Sequence, residues 1–183
     1  MNLPASFEGR ERIRLFCALR LPEGTLDVLS AWQAQHLVRE RPVPRDHLHV
    51  TLAFLGHRPV TELDAIGGAL RAAAAAAAPI RLLPERYRET RSVGMLVLKD
   101  PAGAATRLAE QLFAALEALG VYERERRAWL PHVTVLRFRR PPRLRPPLPE
   151  LGEVVPSDAA VYLSQLRPTG AQYVVVESFA LGG

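Results

Sequence analysis

Residues 46–56, DHLHVTLAFLG, and residues 130–138, LPHVTVLRF, each open an apolar run with the same His-Val-Thr triplet. Short runs rich in β-branched and large apolar residues read as strands, and successive strand side chains point to opposite faces. By that alternation His49 and Thr51 share one face while Val50, Leu52 and Phe54 share the other. Likewise His132 and Thr134 oppose Val133, Val135 and Arg137. A fold that accepts both strands must bury one face of each and leave an imidazole and a hydroxyl reachable on the other.

The rest of the chain supplies both strands and helices. IRLFCALRLP, ending at Pro22, alternates as a strand, and Leu26, Leu29, Trp32 and Leu37 recur at helical spacing between Pro22 and Arg39. RPVPRD reads as a loop. A second helix is expected over residues 60–78, ending in seven consecutive alanines before Pro79; alanine is the best helix former, and so thin a helix packs closely on a sheet. Two strands joined by a turn follow in IRLLPERYRE and SVGMLVLKD. A third helix runs over residues 102–119 with Gly120 as its terminator. The proline-rich stretch at 141–149 suits neither central strand nor helix. The final segment reads as a hairpin turning at residues 168–170. Neighbouring strands this tightly joined are antiparallel, so the expected class is α+β. Each half runs helix, loop, His-x-Thr strand, a loose repeat that suggests two lobes facing across a pseudo-twofold axis.

Composition narrows the function. At 183 residues and 48% hydrophobic the chain can bury a real core. Its one cysteine, Cys17, permits neither an internal disulfide nor a cysteine metal cage. No stretch resembles a signal peptide or an uncharged membrane span, so a soluble cytoplasmic protein with no membrane partner is expected. The net charge of +5 suits a polyanionic ligand, although an arginine-rich coding bias gives the same excess: of 24 basic residues only Lys99 is a lysine.

Two imidazoles near their usual pKa of about 6.5 allow one to accept a proton while the other donates one. Opening a cyclic phosphodiester requires both acts, on opposite sides of an in-line displacement at phosphorus. Threonine hydroxyls suit the non-bridging oxygens. Neither a metal nor a cofactor is called for. His47 shares the face of His49 and raises a His-x-His ligand pair, but no third ligand is evident. Phe16, on the face of Arg14 and away from Leu15, Cys17 and Leu19, could either stack a base or fill the core.

HLHVTLAFLG and LPHVTVLRF, with RLFCALRLP near the start and LSQLRPTGAQYVVVESFAL at the end, resemble the two-histidine (2H) phosphoesterases, specifically the LigT-like RNA 2′,3′-cyclic phosphodiesterases also called 2′-5′ RNA ligases. The resemblance spans about residues 14–181. It implies a bilobal α+β fold in which two largely antiparallel sheets flank a central cleft with helices outside. A single such domain over residues 13–183 would follow a polar tail over 1–12. The resemblance also implies His49 as proton donor to the ribose O3′ and His132 as proton acceptor from water, with Thr51 and Thr134 holding the phosphate. Arg137, the last residue of a His-x-Thr-x-x-Arg pattern, would contact the nucleotide. The implied substrate is RNA with a 2′,3′-cyclic phosphate end; for the assembly, nothing in the sequence demands more than a monomer. Ligation, action on another cyclic or 2′-5′ linked nucleotide, and RNA binding without catalysis are the alternatives. His47 stands where the family more often has asparagine or another polar residue.

Overall fold

The computed structural model describes residues 11–37, 41–167 and 170–182. Most of the expected tail and two residues of the expected 168–170 turn lie outside them. Eight strands form one antiparallel sheet: β1 (Arg12–Arg20), β2 (Arg41–Pro42), β3 (His49–Pro59), β4 (Leu83–Glu89), β5 (Val93–Lys99), β6 (His132–Arg137), β7 (Asp158–Arg167) and β8 (Gly170–Ala180). The order across the sheet is β4-β5-β6-β3-β1-β7-β8, with β2 also on β6.

The two expected sheets are two arms of this one curled sheet. β3 pairs with β1 along its length but meets β6 at a single residue pair, Val50↔Val133. Beyond that pair the strands part. The edge of β6 that β3 leaves is taken by β2, through Arg41↔Arg137 and Pro42↔Leu136. RPVPRD is therefore not wholly loop: the two residues at its start fill the wedge. The wedge is pinned further by Gln33, buried at 3% exposure, whose Nε2 donates to the Val43 and Val135 carbonyls at 3.1 and 2.7 Å.

Helices α1 (Glu23–His36), α2 (Leu63–Ala75) and α3 (Ala104–Ala118) fall where helical spacing places them, each shorter than expected by a few residues. Leu29, Ile66, Leu70, Leu108, Leu112 and Leu116 bury completely or nearly so, and join Leu15, Cys17 and Leu19 of β1 in one core. The alanine run keeps the end of α2 thin enough for the C-terminal chain to lie on it: the Gly182 N–H donates to the Ala74 carbonyl at 2.8 Å. A Cβ at Gly182 would stand 2.2 Å from the Ala75 oxygen. Gly120, at φ 67°, lets the Val121 N–H reach back to the Leu116 carbonyl and close α3.

The proline-rich segment is a strap fastened at two points. Glu89 of β4 accepts the Arg143 and Leu144 N–H groups, each at 2.8 Å, and Trp32 of α1 donates to the Pro147 carbonyl at 2.8 Å. The helix-covered face of the sheet is thus closed, and chemistry is left to the other face. There Phe16, Ala18, Ala160 and Tyr162 make a second, small cluster with Tyr173 packed against it.

Candidate active site

Both His-x-Thr strands carry a bulge at the same place. Along β3 the pairing passes from Thr51 (with Ala18) to Ala53 (with Cys17), leaving Leu52 unpaired. Along β6 it passes from Thr134 (with Met95) to Leu136 (with Gly94), leaving Val135 unpaired. Each bulge sends two consecutive side chains into the core: Leu52 and Ala53 are 3% and 1% exposed, Val135 and Leu136 0%. The alternation beyond is inverted. Strict alternation placed Phe54 and Arg137 on the buried faces, and that expectation is corrected here. Both turn toward the cleft and line it beside Thr51 and Thr134. The two motifs then read alike, His-x-Thr-x-x-Phe and His-x-Thr-x-x-Arg.

The imidazoles are held alike as well. His49 Nδ1 lies 2.8 Å from the His47 carbonyl and His132 Nδ1 2.8 Å from that of Leu130, each two residues back along its own chain. A carbonyl only accepts, so both Nδ1 atoms carry the hydrogen and both Nε2 atoms are left for other work. Thr51 Oγ1, 3.1 Å from His49 Nε2, donates to it while the ring is neutral. A further tie crosses from one motif to the other, where Trp129 Nε1–H donates to the Thr51 carbonyl at 3.0 Å.

Beneath His49 lies an aromatic floor that sequence reasoning missed in part. Phe16 stacks on Tyr162 with centroids 4.8 Å apart and stands 4.9 Å from the His49 ring. Tyr173 of β8 meets His49 edge-on at 5.6 Å and His47 at 4.5 Å. Phe16 is 2% exposed, so its flanks are largely taken by protein rings, whereas Phe54 keeps 50% of its surface open. Tyr162 reaches the floor because it pairs with Phe16 across β7 and β1. Only the pairing reveals that.

Burial among these rings lowers the His49 pKa to about 4, with the neighbouring His47, Arg137 and His132 adding to the effect. At neutral pH the ring is therefore uncharged, and a proton donor must first be charged. An anion against Nε2 favours the charged form and raises the value. NMR titration of His49 should give a midpoint near 4 for the protein alone. Saturating dimethyl phosphate, a diester that stays singly charged over this range, should raise it by a unit or more, and bind more tightly as pH falls from 7 toward 4. An unmoved midpoint would count against His49 as the phosphate-facing donor.

His49, Thr51, Phe54, Thr134 and Arg137 line a cleft of about 310 Å³ that has arginines but no carboxylate in its walls. His132 opens onto an adjoining groove of about 830 Å³, and Thr51 and Phe54 border both. Cys17 is buried with its thiol pushed up to about 12 by desolvation, so it is no nucleophile. Among the described residues no three His, Cys, Asp or Glu side chains gather as metal ligands, and no helix is long and apolar enough to cross a membrane.

A family model described as the 2′-5′ RNA ligase superfamily matches residues 22–166. The RNA 2′,3′-cyclic phosphodiesterase of Thermus thermophilus is 37% identical over 190 aligned positions, covering 93% of this chain and 91% of the relative. A crystal structure from the same organism superposes with a TM-score of 0.77 at 32% identity, covering 93% of this chain and 99% of the other. Escherichia coli LigT in its apo form gives a TM-score of 0.78 at 25% identity, covering 95% and 100%.

Proposed function

The chain belongs to the 2′-5′ RNA ligase superfamily, and on that footing we propose that it hydrolyses RNA 2′,3′-cyclic phosphate ends to 2′-phosphomonoesters, with His49 as proton donor and His132 as proton acceptor. The observation that carries this reading is the doubled motif: two imidazoles from the two arms, each tied through Nδ1 and each followed by a threonine facing the same cleft.

In the reaction, water attacks phosphorus as the P–O3′ bond breaks. Nε2 of His132 takes the proton from water, its Nδ1 being engaged by the Leu130 carbonyl. Nε2 of His49, charged once the phosphate is seated, gives its proton to O3′. The Thr51 and Thr134 hydroxyls donate to the non-bridging oxygens, and Arg137 adds a fixed positive charge. Thr51 must release Nε2 for this, and a phosphate oxygen is its natural new acceptor. Phe16 acts by supporting the His49 ring, and the more open Phe54 is the ring available to the nucleoside.

Both proton transfers are assigned to side chains, so turnover should survive EDTA. Incubating the protein with an oligonucleotide ending in a 2′,3′-cyclic phosphate, in EDTA, should yield the 2′-phosphate and not the 3′-phosphate. A 3′-phosphate product would reverse the two histidines, and no turnover would leave an RNA-binding protein. The catalytic unit in this reading is residues 13–183 as one bilobal domain. It works as a soluble cytoplasmic monomer, since one chain furnishes both motifs.

A further inference from the structure

The two sides of the cleft are unequal in a way that hydrolysis does not explain. In an in-line displacement the ribose, which carries both O2′ and O3′, occupies the leaving-group side with His49, and the nucleophile arrives on the side of His132. The leaving-group side measures about 310 Å³ and the nucleophile side about 830 Å³. Water needs no such groove. Its walls carry five arginines, Arg86 and Arg88 from β4 and Arg124, Arg126 and Arg127 from the segment leading to β6, against two glutamates. Arg86, Arg124 and Arg127 are engaged by Glu85, by Glu110 and Glu117, and by Glu125. Arg88 and Arg126 are exposed and form no ion pair among the described residues. Tyr122 and Trp129 add aromatic faces of the kind on which bases stack.

Joining is the reaction in the superfamily's name; the groove adds which residues would favour it over hydrolysis. We infer that Arg88 and Arg126 hold a second RNA strand in this groove, so that its 5′-hydroxyl reaches phosphorus in place of water, and that these two residues set the partition between joining and hydrolysis. The inference rests on His132 being the proton acceptor. The 5′ oxygen bonds to phosphorus as P–O3′ breaks. The hydroxyl proton passes to His132, and O3′ takes one from His49. The product is a 2′-5′ linkage, and no nucleoside triphosphate is consumed because the diester count at phosphorus is unchanged.

The test supplies a short strand ending in a 2′,3′-cyclic phosphate together with a 5′-hydroxyl oligonucleotide at rising concentration, and resolves joined from hydrolysed product. The double variant Arg88→Glu/Arg126→Glu should hydrolyse within about twofold of the wild-type rate but join at least tenfold more slowly, with a shallower salt dependence. Arg88→Lys/Arg126→Lys should keep joining. Unchanged joining in the charge-reversed variant would overturn the inference. So would wild-type protein that hydrolyses but never joins, and equal loss of both reactions, which would put the cyclic strand itself in the groove. No turnover with either nucleophile would instead remove the phosphodiesterase reading beneath it.

Discussion

His49→Ala and His132→Ala should each lower kcat/KM for the cyclic phosphate by about 10²–10⁴, the span over which a positioned general acid or base contributes. The losses should not multiply in the double variant. Donor and acceptor serve one displacement, and a transition state deprived of either gains little from the other. Thr51→Val and Thr134→Val should cost less, because a hydroxyl donor to a non-bridging oxygen is one of several charges around the phosphate. Folding is not the confounder: both imidazoles are only partly buried, and the carbonyls of His47 and Leu130 that lose a donor can turn to water. Thermal unfolding of each variant checks that point, and a wild-type rate in either histidine variant would end the proposal.

Alternation along a strand places His49 and Thr51, or His132 and Thr134, on one side from residue order alone. It fails two residues later in both motifs. In β6 Val135-Leu136 is a doubled apolar pair between Thr134 and Arg137, and that doubling is the trace a bulge leaves in sequence. Read so, Arg137 would have been placed in the cleft without the fold, but in β3 the unbroken apolar run from Leu52 to Leu55 hides the bulge that turns Phe54. Tyr162 and Tyr173 left no such trace. They reach His49 through pairings of β7 with β1 and of β8 with β7, between residues far apart in the chain. Nor does any pattern in Arg41-Pro42 announce a strand. Two residues pair there because β3 has diverged and left the edge of β6 open. Helices fared best, since their spacing depends on local periodicity, and the shortening at their ends follows from capping geometry that periodicity does not report.

Val50→Asp should prevent folding. Val50 and Val133, 0% and 1% exposed, are the one ladder pair between β3 and β6, so the seam between the arms sits on two apolar side chains rather than on a run of backbone hydrogen bonds. A carboxylate there has no partner. Burying an unpaired charge costs several kcal/mol, about the whole stability of a domain of this size. Truncation separates the seam's two jobs. Val50→Ala loses two methyl groups and should cost about 1–3 kcal/mol. Leu70→Ala, in α2 and 0% exposed, should cost about 2–5 kcal/mol. Of the two, the Leu70 variant is expected to be the less stable by urea unfolding and yet the more active. Its cavity lies in the helix layer, away from the cleft. The Val50 cavity lies on the core face directly behind His49 and Thr51, at the pair that joins their strand to the one carrying His132. A shift of a few tenths of an ångström at the seam changes the reach from one imidazole to the other across phosphorus, and a site that depends on two proton transfers in line is sensitive to that distance. If kcat followed stability alone, with Leu70→Ala the slower enzyme, the seam would be ordinary core and the motif spacing would be set elsewhere.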